Sequence, residues 1–214
     1  RRVTYRISIV AHRARSDAAH DLFDKVGAVH MAMDSGTFGC GPNHRRSWTY
    51  LADRNPEPWS LVLEDDARPV PGFTQQLEQV LTAAPTPIVS LYLGTGFPPH
   101  LQTRIGQATA QADREHACWI VADNHLHGVA VAIKTELVTP MLEWTAKSCQ
   151  PIDYAIRDWA RNKGHRIGFT HPSIVQHHDG PSIAKHPDGG TRTVERKAHS
   201  FGGRESWNRR SVAL

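Results

Sequence analysis

The sequence predicts a single α/β domain with a mostly parallel central sheet flanked by helices. Short apolar runs recur along the chain, and the segments between them carry apolar residues at three- and four-residue spacing. These are the patterns of strands and amphipathic helices, and their alternation is typical of a largely parallel sheet. A length of 214 residues suits one hydrophobic core, so we expect one domain.

The elements follow one another along the chain. Apolar runs predict strands at 6–11, 61–63, 88–93 and 129–133. Helical spacing predicts helices at 18–26, 43–52, 73–83, 136–144 and 151–159. The last helix opens with Pro151, and Gly164 supplies a stop. Residues 94–124 lack clear periodicity and are predicted to be a long connection of the lid or binding-loop type.

The C-terminal stretch differs in composition from the rest of the chain. From residue 184 onward it is polar, Gly-rich and basic, and the whole chain has a formal net charge of +4. We expect residues 1–183 to form the domain. Residues 184–214 are predicted to be a basic tail that belongs to the same domain or is partly disordered until a partner binds. This charge permits an anionic partner.

Composition also bears on the compartment. No apolar run approaches the roughly 18 residues of a membrane helix, and no signal-peptide-like segment precedes the first strand. We therefore expect a cytoplasmic protein without a membrane span. Cys40, Cys118 and Cys149 are widely spaced and form none of the close pairs of zinc modules, so we expect reduced, mostly structural cysteines.

The most informative stretch is the acidic triplet Glu64-Asp65-Asp66, which directly follows the apolar run 61–63. Side chains alternate along a strand, so Glu64 and Asp66 are predicted to share one side and Asp65 the other. Mg²⁺ and Mn²⁺ prefer oxygen ligands and are commonly bound by one or two carboxylates together with substrate phosphates. The alternatives are a solvated acidic turn or a cap on the next helix.

The run from Leu61 to Ala67 resembles the strand and acidic motif of glycosyltransferase family 25, the lipopolysaccharide-type and collagen-type glycosyltransferases. Three further pieces occur in the family's order: Gly39-Cys40 followed by His44 and Trp48, then Pro151-Ile152-Asp153, then Pro172-Ser173-Ile174-Val175-Gln176. The resemblance covers residues 6–183 without 94–124. It departs at Asn43, where the family has Ser.

This resemblance implies a GT-A-like, Rossmann-like fold. It also implies transfer of a sugar from a nucleotide-sugar donor, a UDP-sugar above all, to a hydroxyl group with Mn²⁺ or Mg²⁺ as cofactor. Glu64 and Asp66 would be metal ligands. A late His would be a third ligand, and His178 is preferred to His177.

Other residues are assigned to donor binding. Arg13 and Arg15 follow the first strand like the family's nucleotide-contacting loop, and an Arg there can bind phosphate or stack on a base. Asp65, His44 and His127 are further donor-site candidates. The alternatives are surface solvation for the arginines and a core pair for His44 with Trp48.

Sugar transfer with inversion, which the resemblance favours, requires a base that takes the proton of the acceptor hydroxyl. Asp153 is the predicted base because it lies in the first turn of a helix, where the dipole favours its charged form. Asp158 is the rival base, and a capping role for Asp153 is the alternative.

Two acceptors remain open. The basic tail favours a hydroxymethylated base in bacteriophage DNA, modified in the host cytoplasm, whereas the family favours a lipopolysaccharide or other surface glycan. Two other classes of protein also remain. One is a nuclease or phosphohydrolase that holds two metals with the triplet and His178, and the other is a noncatalytic nucleic-acid-binding domain.

Overall fold

The structure, a computed structural model, describes residues 3–54, 56–124, 126–178 and 195–214. Its elements in chain order are β1 (Tyr5–His12), α1 (Ser16–Val26), β2 (His30–Asp34), α2 (Cys40–Asp53), β3 (Trp59–Glu64), β4 (Ala67–Pro69), α3 (Phe73–Ala83), β5 (Ile88–Ser90), α4 (Gln102–Arg114), β6 (Trp119–Ala122), β7 (Ala130–Lys134), α5 (Val138–Thr145), α6 (Ile152–Asn162), β8 (Ile167–Thr170), β9 (Val175–His177) and β10 (Ser211–Ala213). A 3₁₀ turn, Arg13–Arg15, joins β1 to α1.

Eight strands form the central sheet in the order β10-β6-β8-β5-β7-β3-β1-β2, and β4 pairs separately with β9. The pairs β1 with β2, β1 with β3, β5 with β8 and β6 with β10 are parallel. Strand β7 runs antiparallel between β3 and β5, and β6 runs antiparallel to β8. The predicted α/β domain with a mostly parallel sheet is confirmed.

The two faces of the sheet pack against different helices. On β1, Ile7 and Ile9 join the cluster that contains α1 and α3, whereas Val10 joins the cluster that contains α2, α4, α5 and α6. This two-residue alternation follows from the opposite directions of successive strand side chains. Both faces are covered, so most of the strand residues are apolar. Each fully buried Leu or Ile stabilises the fold by about 1.5–3 kcal/mol.

The prediction of an irregular connection over residues 94–124 was wrong. Helix α4 and strand β6 lie within it. The buried stripe of α4 consists of Ile105, Ala108 and Ala112, and two of these three side chains are alanines. Because alanine adds little hydrophobic contrast, the 3.6-residue period is weak in the sequence.

The described part of the tail, residues 195–214, packs on the domain. Strand β10 pairs with β6, and the Trp207 ring lies 6.1 Å from that of Trp119. Arg204 donates hydrogen bonds to the carbonyl oxygens of His171 and Ala117, at 2.7 and 3.0 Å. Residues 184–194 of the predicted tail lie outside the described residues, and the boundary after residue 183 stays a prediction.

Asn43 joins the ends of two strands. Its Nδ2 donates to the carbonyl oxygens of Ala11 on β1 and Ala32 on β2, at 3.2 and 2.7 Å, and its side chain is buried. A Ser hydroxyl has a single hydrogen to donate and a shorter reach, whereas the Asn amide serves both carbonyls at once. The departure from the family pattern therefore has a structural role here.

We expect Asn43→Ala to lower the free energy of unfolding by about 2 kcal/mol, because two buried carbonyl oxygens lose their donor. Urea unfolding followed by circular dichroism measures it. The matched control is Asn162→Ala at the exposed end of α6, which should change little. Equal stabilities of the two variants would show that the bridge contributes nothing.

Candidate active site

The candidate site lies where the strand order of the sheet reverses. Strand β2 lies on one side of β1 and β3 on the other. In open α/β sheets, ligands bind at the carboxyl ends of strands at such a reversal. Strand β1 ends there at His12, and β3 ends at Glu64, the first residue of the acidic triplet.

Arg15 holds the last two acids of the triplet together. Its Nη1 lies 2.9 Å from Asp65 Oδ1 and 2.7 Å from Asp66 Oδ2. The other oxygen of Asp65 accepts the backbone N–H of His12 at 2.8 Å. Both oxygens of Asp65 are thus used in joining the ends of β1 and β3. Asp66, in contrast, retains one oxygen without a hydrogen-bond partner among the described residues.

A cavity of about 410 Å³ opens beside these acids, within the size range of small-molecule sites. Its lining combines three arginines and a histidine from three segments of the chain with the last two acids of the triplet: Arg13, Arg15, Arg68, His178, Asp65 and Asp66. Guanidinium groups form paired hydrogen bonds with phosphate oxygens. The cavity therefore has the chemistry of a phosphate-binding site next to a carboxylate.

Asp66 is the acid best suited to a cation. Burial, reinforced by the nearby charge of Glu64, raises the pKa of Asp66 to about 7. Its Oδ1 is buried and has no hydrogen-bond partner among the described residues. A buried carboxylate oxygen without a donor is an unfavourable arrangement that a bound divalent cation would relieve. The residues present therefore fit an oxygen-ligated Mg²⁺ or Mn²⁺ ion.

The two consecutive histidines at the end of β9 have different surroundings. Ala67 on β4 is opposite His177 on β9, and His177 Nε2 lies 3.5 Å from Asp66 Oδ2. His178 is exposed, lines the cavity, and donates its backbone N–H to the Asp66 carbonyl oxygen. The structure thus places the ring of His177 against the carboxylate and that of His178 in the cavity. The assignment of His178 as a ligand stays a prediction.

An inner cluster surrounds Glu64. His44 Nε2 lies 3.1 Å from Glu64 Oε1, and the side chain of His44 is only 3% exposed. Burial acts to lower the pKa of His44, but the neighbouring Cys40 and Glu64 outweigh it and raise this pKa to about 10. Burial acts to raise the pKa of Glu64, but the hydrogen bond with His44 outweighs it and lowers this pKa. Glu64 is therefore an anion paired with a histidinium.

Asp153 lies at the edge of this inner cluster. Burial, reinforced by the charge of Glu64, raises the pKa of Asp153 to about 6, although the residue stays partly exposed to solvent. A Cβ added to Gly128 would come within 3.1 Å of Glu64 Oε1 and 3.7 Å of Asp153 Cβ. Gly128 thus leaves a small gap between the two acids.

The rival base, Asp158, has a different environment. Its Oδ1 lies 2.6 Å from Nη2 of its neighbour Arg157, and the side chain is 35% exposed. Asp153, in contrast, lies beside Glu64, across the gap left by Gly128. His127, predicted to contact the donor, packs edge-on against the rings of Tyr92 and Phe169, at 5.1 and 6.5 Å between centroids.

The structure makes one grouping that was not predicted from the sequence. Ligand atoms of Cys40, His44 and Glu64 all lie within 4.8 Å of one another, and no other trio of His, Cys, Asp or Glu in the described residues does so. The predicted trio of Glu64, Asp66 and His178 is not gathered this closely. Cys40 and Cys149 are exposed, which corrects the expectation of mostly structural cysteines.

Asp34 is a second residue that sequence reasoning missed. It ends β2 and accepts backbone N–H groups from Thr37, Phe38 and Gly39, at 2.9–3.0 Å. These bonds lower the pKa of Asp34. They also fix the loop before α2, the helix that carries Cys40 and His44. An acid at a strand end shortly before Gly residues could have indicated this loop.

A scan against protein-family models finds no match, and a search of curated proteins finds none. Solved structures give distant matches. The catalytic domain of Drosophila beta1,4galactosyltransferase 7, crystallised with xylobiose, is similar at 9% identity and a TM-score of 0.42, over 83% of this chain and 72% of that chain.

Two further structures are similar. One is a glycosyltransferase involved in glycosylation of the major capsid of PBCV-1, at 12% identity and a TM-score of 0.33, over 67% of this chain and 68% of that chain. The other is a protein from STIV, at 11% identity and a TM-score of 0.40, over 94% and 97% of the two chains. All three TM-scores lie below 0.5, so no functional assignment is drawn from them.

None of the helices in the described part of the chain combines the length and the apolar character that a membrane crossing needs.

Proposed function

We propose that the chain is a metal-dependent glycosyltransferase that moves a sugar from a nucleotide-sugar donor to a hydroxyl acceptor. The observation that carries this proposal is the acidic triplet at the strand-order reversal, beside a cavity lined by three arginines. A nucleotide diphosphate requires both cations for its phosphates and carboxylates for a bridging metal ion, and this site offers both.

Donor binding is assigned to the arginine-lined cavity. Arg13, Arg15 and Arg68 supply positive charge from the 3₁₀ turn after β1 and from β4. Arg15 already bridges Asp65 and Asp66, so a phosphate that it binds lies next to the triplet. A UDP-sugar is the proposed donor.

Asp66 and Glu64 are the proposed ligands of Mn²⁺ or Mg²⁺, and His178 or the closer His177 is the proposed third ligand. When bound, such an ion neutralises the charge that develops on the departing diphosphate. The chain's own groups act around it. Arg15 adds positive charge at the same place, and His44 keeps Glu64 oriented and ionised.

Asp153 is the proposed base of a direct, inverting displacement. The acceptor oxygen attacks the anomeric carbon while its proton passes to the Asp153 carboxylate. The bond between that carbon and the diphosphate breaks, and its electron pair leaves with the nucleotide. A carboxylate whose pKa is raised to about 6 is a stronger base than an ordinary Asp and is still ionised at neutral pH.

We propose only that the acceptor carries a hydroxyl group. Its identity is tested by comparing two candidate substrates. Among the basic residues of the tail, Arg204 and Arg209 donate hydrogen bonds to backbone carbonyl oxygens of the domain. These two side chains are therefore already used within the domain. DNA with hydroxymethylated bases and a lipopolysaccharide-type glycan are the two acceptors to compare, with the product identified by mass spectrometry.

A thermal-shift screen of sugar nucleotides with and without Mn²⁺ tests the donor site. A UDP-sugar should raise the melting temperature only when Mn²⁺ is present.

Arg68→Ala should weaken donor binding by roughly 10-fold, since a charge-assisted bond to phosphate is lost. The matched control is Arg161→Ala, at the exposed end of α6. Cleavage of a nucleic acid without any sugar donor would instead identify a nuclease, and release of phosphate would identify a phosphohydrolase.

A further inference from the structure

The cluster of Cys40, His44 and Glu64 has the composition of a transition-metal site. One Sγ, one ring nitrogen and one carboxylate oxygen lie within 4.8 Å of one another. Around a tetrahedral Zn²⁺ ion with bonds of about 2.0–2.3 Å, neighbouring ligand atoms lie about 3.3–3.8 Å apart. Closing the cluster onto an ion therefore needs small side-chain rotations and the release of a proton from the His44 ring to solvent.

The backbone that holds these three ligands is well fixed. Helix α2 begins at Cys40, so Cys40 and His44 are four residues apart and lie on the same face. Glu64 comes from the end of β3, a central strand of the sheet. Gly39, which precedes the helix, has a φ of 78° and donates its N–H to Asp34. The site thus joins a helix start to a strand end.

The ligand types select the metal. Thiolate and imidazole favour Zn²⁺ and similar ions, whereas Mg²⁺ and Mn²⁺ favour oxygen ligands such as those of Asp66. Three protein ligands would leave one coordination position for water or another ligand, as in open zinc sites. Cys40 is exposed, so an ion can reach the cluster from solvent.

We propose that Cys40, His44 and Glu64 bind Zn²⁺ or a similar thiophilic divalent ion. Glu64 is also a proposed ligand of the donor-site metal, so Zn²⁺ at Cys40 withdraws it from that role and inhibits sugar transfer. The inhibition rests on the proposed function, whereas the binding does not.

Titration of the reduced 214-residue chain with Co²⁺ tests the binding. We expect a thiolate-to-cobalt charge-transfer band together with the visible bands of tetrahedral Co²⁺, and we expect excess Zn²⁺ to abolish both. Cys40→Ser should remove the charge-transfer band and weaken Zn²⁺ binding at least roughly 10-fold, because the thiolate ligand is lost. The matched control is Cys149→Ser, another exposed cysteine, which should behave like the parent.

Each outcome decides the proposal. A charge-transfer band that survives in Cys40→Ser, or one that disappears in Cys149→Ser, would overturn it, as would the absence of any band in the parent. His44→Ala, first checked for folding by circular dichroism, should also lose the tetrahedral visible bands. Cobalt binding without any transferase activity would leave the site standing and refute the proposed function instead.

Discussion

Replacing Asp153 by Asn is expected to lower kcat by roughly 10²–10⁴-fold, the usual effect of removing a general base. The Asn side chain has nearly the same shape, so packing at the start of α6 should be preserved, but it cannot accept the proton of the acceptor hydroxyl. Steady-state assays at saturating donor, acceptor and Mn²⁺ measure the effect.

The pH dependence of kcat provides a second signature of Asp153. Its pKa is raised to about 6, so kcat of the parent should rise as pH increases through about 6 and the carboxylate forms. Saturating metal and donor keep the other acids of the site liganded, which isolates this step. The Asp153→Asn variant should lack this rise in kcat, which is the acid limb of the pH profile.

Linkage predicts that the same substitution does not destabilise the protein. The folded pKa of Asp153 is about 6 against an ordinary 3.8, so the folded state holds the proton more tightly than the unfolded state. Ionisation of Asp153 therefore lowers the free energy of unfolding as pH rises from about 4 to 6. Above that range the loss is at most about 3 kcal/mol. The Asn variant avoids this cost, and its melting temperature at pH 8 should equal or exceed that of the parent.

The matched control is Asp158→Asn, which removes a carboxylate from the same helix. Asp158 pairs with Arg157 at the surface, so its loss should leave kcat and the acid limb unchanged. If Asp158→Asn lost activity and Asp153→Asn kept it, the two carboxylates would exchange roles. If both variants kept the activity, no acid on α6 would be the base.

Much of the fold was predictable because long elements carry strong periodicity. Strand β1, helix α1 and helix α6 were found from apolar spacing alone. Strands β2 and β8 were missed because polar residues or Gly168 interrupt their apolar runs, whereas the equally short β7 is almost continuously apolar. Strand β10 was missed because Val212 is the only buried residue of its three. Its two exposed neighbours give no apolar run in the sequence.

The candidate site was predictable where it follows a strand and less so where it depends on the packing of distant segments. The position of Glu64 at a strand end could be inferred from the apolar run before it. The histidinium partner of Glu64 could not, because β3 and α2 meet only in the folded chain. The same holds for Arg15, whose contacts with Asp65 and Asp66 span about fifty residues of sequence.

Asp66→Asn is expected to have the other large effect, a loss of Mn²⁺-dependent transfer by roughly 10²–10³-fold. The substitution removes the negative charge from the only triplet acid with a buried oxygen that lacks a hydrogen-bond partner among the described residues. An amide oxygen is a weak metal ligand compared with a carboxylate, so the affinity for Mn²⁺ should fall with the activity. Calorimetric titration of Mn²⁺ in the presence of a UDP-sugar measures the affinity.

The pH dependence of metal binding follows from the same residue. The pKa of Asp66 is raised to about 7 in the metal-free protein, so a proton must leave before an ion can bind at lower pH. The apparent affinity for Mn²⁺ should therefore fall as pH decreases below about 7, by up to roughly tenfold per pH unit. The Asn variant should show no such slope.

Asp17→Asn is the matched control, since Asp17 is exposed and lines the same cavity. It should change the affinity for Mn²⁺ little, because Asp17 lies on α1 and outside the triplet. An Asp66→Asn variant that binds Mn²⁺ and donor like the parent would exclude Asp66 as a ligand. The functional cation would then bind at Glu64, where Cys40 and His44 favour a different metal ion. The donor-site metal and the proposed Zn²⁺ would in that case occupy one and the same site.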